Sequence, residues 1–435
     1  MAQGGNGVSG ATRAAEARFD VARPRLLFVA HLLPWPLDGG GQIKSYHALR
    51  LLSARFDVKL LAFIRREDER QHISALAPLC RLGVENVLLP RSRVRDGLLA
   101  LQTLASRQSF LIRRDDSPAM RALIEHETRM GNYTALHFDH LQMAQFIPTE
   151  TGRARIVLDN HNVEYRIPKR IAETGGSPAM RLFARREWPR LREFEARACQ
   201  RADVTLAVSE EDACALRALA GADKAERVVP VPIGVDTDYF APAERQPNSQ
   251  TLLSIGTMFW PPNVDAVTYF HERIWPLVRR AKPNTRFLIV GARPVASVRA
   301  LAESDPGVTV TGSVPDVRPY ASDCAAFVVP LRSGSGMRVK ILNALSMGLP
   351  VVSTSVGAEG IAVTHEQDIL LADSPDDFAR ACVRLLSEPE LGARLGQAGR
   401  RLMEDRYGWE AVGRDLMAAY DHFVLTQMAT GSGAR

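Results

Sequence analysis

SGSGMRVKILNALSMG, residues 333–348, lies between two apolar runs, AAFVVPL (325–331) and PVVST (350–354). A glycine-rich turn follows a strand-like segment and opens a helix whose Met337, Ile341, Leu342 and Leu345 recur at helical spacing. The first N–H groups of a helix lack internal partners, and the aligned peptide dipoles leave roughly half a positive charge at that end. Gly334 and Gly336 let a ligand approach the backbone, and Arg338 and Lys340 add full charges, a combination suited to a diphosphate. The competing reading is a plain turn beside two solvated cations, since short glycine motifs are weak signals. At about 100° per residue Lys340 and Asn343 share a face, so Arg338 joins them only if it belongs to the loop.

Around this stretch the second half of the chain alternates regularly. TLLSIGTMF (251–259), a helix over 264–281, RFLIVG (286–291), a helix near 296–303, VTVTGSV (308–314) and DILLAD (368–373) predict a parallel sheet covered on both faces. The first half repeats the pattern. RLLFVAHLL (25–33) leads through the loop PWPLDGGGQIKS (34–45) to a helix over 46–56 and then to VKLLAFI (58–64). VENVLLP (84–90), TALHFDH (134–140), RIVLDNHNVEY (155–165) and DVTLAVS (203–209) follow, with Ser209 as N-cap of a helix that ends at Gly221. In such sheets ligands bind beyond the carboxyl ends of the strands. Gly39, Gly40 and Gly41 are therefore a second phosphate or sugar contact, or else a flexible loop. His140, Asp159 and His161 stand at strand ends and are candidates for acid–base or orienting work.

Length and composition bound the rest. A chain of 435 residues that is 46% hydrophobic is long enough for two or three domains. No run approaches the roughly 20 apolar residues of a membrane span, and the first twenty residues lack the apolar segment of a secretory signal, so a cytoplasmic protein is expected. The five cysteines are scattered and never in CxxC spacing, which implies neither a disulfide framework nor a zinc site. A formal charge of +6 suits an anionic ligand or anionic lipid and does not by itself indicate nucleic acid. Two basic amphipathic stretches, 91–114 and 178–201, read either as core packing or as surfaces for an anionic membrane. The expected division is a disordered leader (1–23), a first domain (24–226), a proline-rich linker (227–250), a second domain (251–427) and a disordered tail (428–435). No GxGxxG follows any predicted strand, which argues against an NAD-dependent oxidoreductase.

Two successive doubly wound domains, the mid-chain linker and SGSGMRVKILNALSMGLPVVST together resemble the retaining glycosyltransferases of family 4, which have the GT-B fold. VPIGVDTDYF, ALSMGLPVVSTSVGAEGI, LDNHNVEY and ADVTLAVSE look like family landmarks, and GMRVK looks most like a bacterial subgroup associated with exopolysaccharide biosynthesis. The resemblance implies transfer of a sugar from a nucleotide-diphosphate sugar to a saccharide or lipid-linked saccharide acceptor, with retention and without a metal ion or other cofactor. It implies an acceptor-binding first domain and a nucleotide-binding second domain, with the last helix crossing back to the first. By this match Arg338 and Lys340 hold the diphosphate and His140 sits near the reacting carbon. Gly40 and Gly41 line the cleft opposite Gly256, Thr257, Ser313, Val314, Ser335, Gly336, Met337, Asn343 and Glu359, while Asp159 and His161 lie on the acceptor side.

The family pattern is not complete. Ser335 and Asn343 stand where the family usually has two glutamates, and Thr257–Pro262 stands where it has a basic residue. An amide at 343 can bond a ribose hydroxyl but without charge assistance, a loss of about 1 kcal/mol. A sugar-nucleotide epimerase of the same fold and a catalytically silent nucleotide-sugar-binding or scaffold protein are the alternatives. Lys340 is expected to face solvent in the empty cleft.

Overall fold

The computed structural model describes residues 23–174, 177–242, 248–334 and 336–426, with the backbone alone at Leu104, Ala105 and Thr174. The expected leader and tail, Ser335 and linker residues 243–247 thus lie wholly or largely outside the described residues. Among those described, seven parallel strands form the first sheet: β1 (Arg25–Ala30), β2 (Asp57–Ile64), β3 (Gly83–Leu88), β4 (Ala135–Asp139), β5 (Arg155–Asp159), β6 (Val204–Ala207) and β7 (Val228–Pro230). Their order is β3-β2-β1-β4-β5-β6-β7. The second sheet comprises β8 (Thr251–Ile255), β9 (Arg286–Val290), β10 (Val308–Val310), β11 (Ala326–Val329), β12 (Val351–Ser353) and β13 (Leu370–Leu371), in the order β10-β9-β8-β11-β12-β13. Both are Rossmann-like: the order reverses direction between β1 and β4, and again between β8 and β11, and such switch points are where crevices open.

Eight helices position the site: α1 (Gly40–Ser53), α2 (Arg93–Ala105), α3 (Arg166–Thr174), α4 (Pro178–Arg201), α5 (Glu210–Ala220), α6 (Pro261–Tyr269), α7 (Val339–Ser346) and α8 (Trp409–Tyr420). Three boundaries differ from expectation. The stretch 34–45 is not all loop, because α1 begins at Gly40 with Gly39 as its N-cap. Glycine is a poor helix former, yet Lys44, Ser45, Ala48, Leu49 and Leu52 bury one face of α1, and that packing overrides propensity. Residues 228–230, read as linker, pair with β6 and extend the first sheet. The helix after the glycine turn starts at Val339 rather than Met337, which leaves Arg338 in the loop. The helix expected over 264–281 is α6 continued through a π turn, Phe270–Ile274, into Trp275–Ala281.

One apolar cluster joins the two domains, running from Phe28 and Leu49 through Val231, Ile233 and Val235 to Ile341 and Leu345. Helix α8 belongs to it and crosses back to the first domain. Trp409 stacks on His47 at 3.9 Å, and Tyr420 Oη lies 2.8 Å from His137 Nδ1. Burial depresses His47 to about 4, so it stacks as a neutral ring.

Candidate functional site

Register places the polar strand ends of the first domain at one level. Ala30 is beside Asp139, and Asp139 is beside Asp159. Asp139 is buried and accepts hydrogen bonds from Ser45 Oγ (2.7 Å), His140 Nδ1 (2.9 Å) and His161 Nε2 (2.8 Å). Burial alone would raise its carboxyl, but the two imidazoles outweigh that and hold it well below the usual carboxylate range. Burial likewise pushes down on His140, yet Asp139 prevails and raises it. His161 goes the other way, to about 4, through burial and then the neighbouring His140, whose ring centroid is 3.7 Å away. The two imidazoles are therefore pushed in opposite directions, His140 toward its charged form and His161 toward its neutral one.

His140 occupies φ 76°, ψ 147°, a region essentially reserved for glycine, at a cost of order 1–3 kcal/mol. Its N–H bonds to the Asp159 carbonyl at 2.9 Å, which helps hold the strained residue in place. A Cβ at Gly41 would lie 3.2 Å from His140 Nε2, so the glycine lets the ring sit against the first turn of α1. His161 Nδ1 has no hydrogen-bond partner among the described residues and lies 3.8 Å from the same point. It is a buried acceptor aimed at the start of α1.

Asp159 does not open to the cleft. It is 1% exposed, ion-paired with Lys44 of α1 and 3.7 Å from His137 Nε2. The expectation of Asp159 as an acceptor contact is corrected: Lys44 lies inside with it, and the pair anchors α1 to β5. His161 is 5% exposed, with its ring centroid 3.7 Å from that of His140.

Across the cleft, a Cβ at Gly40 would come within 3.2 Å of Val339 Cγ2, so the N-termini of α1 and α7 meet. Gly334 (φ 140°) and Gly336 (φ 74°) adopt backbone conformations that disfavour any other residue. At Gly336 the missing side chain makes room for Asn162 of the first domain. Arg338 bonds to the Gly336 carbonyl, and burial lowers its pKa.

Lys340 does not face solvent. It is half-buried, with Nζ 2.8 Å from Asn263 Oδ1, and Asn263 Nδ2 donates in turn to the Thr257 carbonyl at 3.1 Å. A Cβ at Gly256 would lie 2.9 Å from Lys340 Nζ, so the ammonium reaches the end of β8. It thereby supplies positive charge where Thr257–Pro262 carries none. Burial, then Arg338, pushes Lys340 down to about 8.

The remaining candidates are spread more widely. Met337 is buried against Gly360. Asn343 is half-buried, and Ser313 and Val314 lie in the loop after β10. Glu359 is engaged by Arg170 of α3, which grips its carboxylate with both Nη atoms and also bonds the Gly334 carbonyl. Lys44, Ser45, Asn263 and Arg170 escaped the sequence reading. Only the spacing of Lys44 and Ser45 from the three glycines hinted at the first two.

Among the described residues, two carboxylate–histidine groups are compact enough for a cation, Asp139 with His140 and His161, and Asp139 with His137 and Asp159. The Asp139 oxygens already accept three hydrogen bonds, which accounts for the first group without an ion.

The first domain matches a model described as Glycosyltransferase Family 4 over residues 39–239, and the second matches one described as Glycosyl transferases group 1 over 249–388. The chain belongs to glycosyltransferase family 4. Sucrose-phosphate synthase from Thermosynechococcus elongatus superposes with a TM-score of 0.66 at 19% identity, over 92% of this chain and 99% of the other. Anabaena HepE in complex with UDP does so with a TM-score of 0.64 at 12% identity, over 92% and 100%. These likenesses establish the GT-B fold for this family member.

Among curated relatives, a GDP-mannose-dependent monoacylated alpha-(1-6)-phosphatidylinositol monomannoside mannosyltransferase of Corynebacterium glutamicum is 28% identical over 206 residues, 43% of this chain. A phosphatidylinositol N-acetylglucosaminyltransferase subunit of Arabidopsis thaliana is 27% identical over 203 residues, 45% of this chain. The matched stretches span 54% and 44% of those relatives, about half their length.

Proposed function

We propose that this family member transfers a sugar from a nucleotide-diphosphate sugar to a saccharide or lipid-linked acceptor, with retention and without a metal ion, in exopolysaccharide or surface polysaccharide biosynthesis. The observation that carries the reading is the meeting of two helix N-termini across the cleft, at Gly40 and Val339, with Lys340 on one side and His140 on the other. A departing nucleoside diphosphate gathers negative charge as the glycosidic bond breaks. Helix ends and fixed cations stabilise that charge, each oriented donor contributing about 3–4 kcal/mol in a water-poor site.

In this reading Arg338 and Lys340 hold the diphosphate, while Gly256, Thr257, Ser313, Val314, Gly336 and Met337 shape the donor side. Asn343 takes the ribose hydroxyls. His140, protonated and held by Asp139, hydrogen-bonds the donor sugar near its reacting carbon. His161 Nδ1 accepts from a substrate hydroxyl and Asp159 keeps α1 in register. Glu359 acts through Arg170. The names of the Corynebacterium and Arabidopsis relatives, both referring to phosphatidylinositol, support an acceptor with a lipid part, and with it a cytoplasmic protein peripheral to the inner membrane face. No described helix is long and apolar enough to cross a membrane.

Thermal stabilisation by UDP, GDP and ADP and by their sugars tests the donor site. A shift with one base supports the reading and names the donor class; no shift with any overturns it. The anomeric configuration of the product tests retention, and turnover in a chelator tests independence from metal. Asn343 in place of the usual glutamate favours one second reading, a nucleotide-sugar-binding protein without turnover, which donor binding without transfer or hydrolysis would support.

A further inference from the structure

Outside the cleft, the first domain carries a pocket of about 280 Å³ in which Arg113, Arg121, Arg190 and Arg197 surround a single carboxylate, Asp116. Asp116 accepts from Arg113 at 3.1 Å and from Arg121 at 3.0 Å. Arg121 also donates to the Gln145 carbonyl (3.0 Å) and Arg190 to the Thr103 carbonyl (2.8 Å). A guanidinium has five N–H donors, so these bonds fix the forks and leave donors over. Arg197 is itself paired with Glu193 at 2.5 Å, so four cations meet two carboxylates, still an excess of positive charge. It leaves a positive field, carried by the side chain best matched to phosphate oxygens. The volume falls just below the roughly 300–1,000 Å³ of a typical small-molecule site and suits a headgroup.

The pocket's position relates it to both the reaction and a surface. On its inner side Asp115, next to Asp116, lies 3.3 Å from His31, whose ring is 5.6 Å from that of His140. On its outer side α2 runs along it, tied by Arg95 to the Asp116 carbonyl at 3.2 Å and by the Thr103 carbonyl to Arg190. The outward face of α2 carries Val94, Leu98 and Leu101, which are 74%, 57% and 64% exposed and spaced four and three residues apart. Apolar residues in line on a helix beside an arginine pocket match an anionic lipid, with chains against the helix and phosphate in the pocket.

We propose that this pocket binds the phosphate of a lipid-borne acceptor and that α2 rests on the lipid. The proposal builds on the transferase reading and supplies its acceptor class. The pocket is lined wholly by residues of the first domain, the domain that carries His140, and by none of the glycine turn assigned above to the donor.

Flotation of the full chain with phosphatidylcholine vesicles, with and without phosphatidic acid, tests it alongside UDP-induced thermal shifts. Arg113→Gln with Arg197→Gln, both on the solvent-facing rim, should lower phosphatidic-acid-dependent flotation at least tenfold and leave the UDP shift unchanged. Lys340→Ala should do the reverse. Leu98→Gln with Leu101→Gln should also lower flotation. Equal flotation by the arginine variant and the wild type, or no flotation of the wild type, overturns the proposal. In the Lys340→Ala background, inorganic diphosphate binding that is lost with the arginines, without flotation, would assign the pocket to a soluble phosphorylated acceptor and overturn the lipid-borne one. Failure of UDP to shift any variant while the flotation pattern holds would overturn the transferase reading and leave the lipid-phosphate pocket standing.

Discussion

Arg170 of the first domain grips the carboxylate of Glu359 in the second while bonding the carbonyl of Gly334, so one guanidinium spans the cleft and steadies the glycine turn. The two side chains are 39% and 31% exposed, which limits the pair to about 1 kcal/mol after solvent screening. Arg170→Ala should therefore raise the donor KM about fivefold with little change in kcat. Arg170→Glu with Glu359→Arg should recover much of the loss. Steady-state kinetics on the two variants decide this, and a reversed pair no better than Arg170→Ala would show that the ion pair is incidental.

With Lys340 in the role proposed above, donor binding should depend on pH. Its folded pKa is pushed down to about 8, from an ordinary value of 10.5, so the empty fold disfavours the charged form. The unfolded chain binds more protons between those values, and the lysine's contribution to stability rises with pH across that window. Nucleotide diphosphate needs the ammonium, so its affinity should fall as pH rises through about 8. Titration calorimetry from pH 7 to 9.5 checks the trend, and Lys340→Ala should flatten it and lower kcat by about 10²–10³. A pH-independent wild type would remove Lys340 from the diphosphate.

Gly41→Ala separates stability from activity. Alanine is favoured over glycine inside a helix by about 1 kcal/mol, so the variant should melt no lower than the wild type. The new methyl would stand 3.2 Å from His140 Nε2 and displace the ring, lowering kcat about tenfold or more. Parallel melting and turnover measurements test it; full turnover would mean that His140 is not held where the reaction needs it.

Asn343→Glu should restore a charge-assisted bond to the ribose and tighten nucleotide binding by about 1 kcal/mol, or fivefold. Direct titration of the preferred nucleotide gives the answer. Weaker binding would show a site rebuilt around the amide.

Tyr420→Phe should destabilise the protein by about 1–2 kcal/mol, because His137 Nδ1, fully buried, loses its hydrogen bond. Chemical denaturation measures the loss, and an unchanged midpoint would mean that the contact carries no net stability.

Much of the architecture is legible along the chain because short continuous apolar runs such as Leu26–Ala30 and Leu60–Ile64, alternating with helical patterns, read as strands buried on both faces. Helix α4 occupies the basic amphipathic stretch expected over 178–201, and its N-cap Ser177 and Pro178 went unread. The start of α1 escaped, since two glycines argue locally against a helix that packing enforces. The turn before α7 could be read from Gly334 and Gly336, both of which take positive φ. The environment of Lys340 could not, because Asn263 lies 77 residues away. Asp139 could be read only as a polar residue at a strand end; the side-by-side register of β1, β4 and β5 turns it into the hub for His140, His161 and Ser45. His137 and Tyr420 are 283 positions apart, beyond any local pattern.

That separation bears on how the molecule is made. β7, the last strand of the first sheet, ends at Pro230, yet the helix that covers His137 is not translated until residue 420, roughly 10–40 s later at ordinary elongation rates. Throughout that interval the nascent first domain must leave exposed the apolar surface around Leu51 and Phe56 that Gly413 and Tyr420 later cover. A ribosome stalled, or a message truncated, just before α8 would release two nearly complete domains that each lack a shared piece. Such a product is a ready client for chaperones, which gives quality control a direct readout of whether synthesis has passed α8.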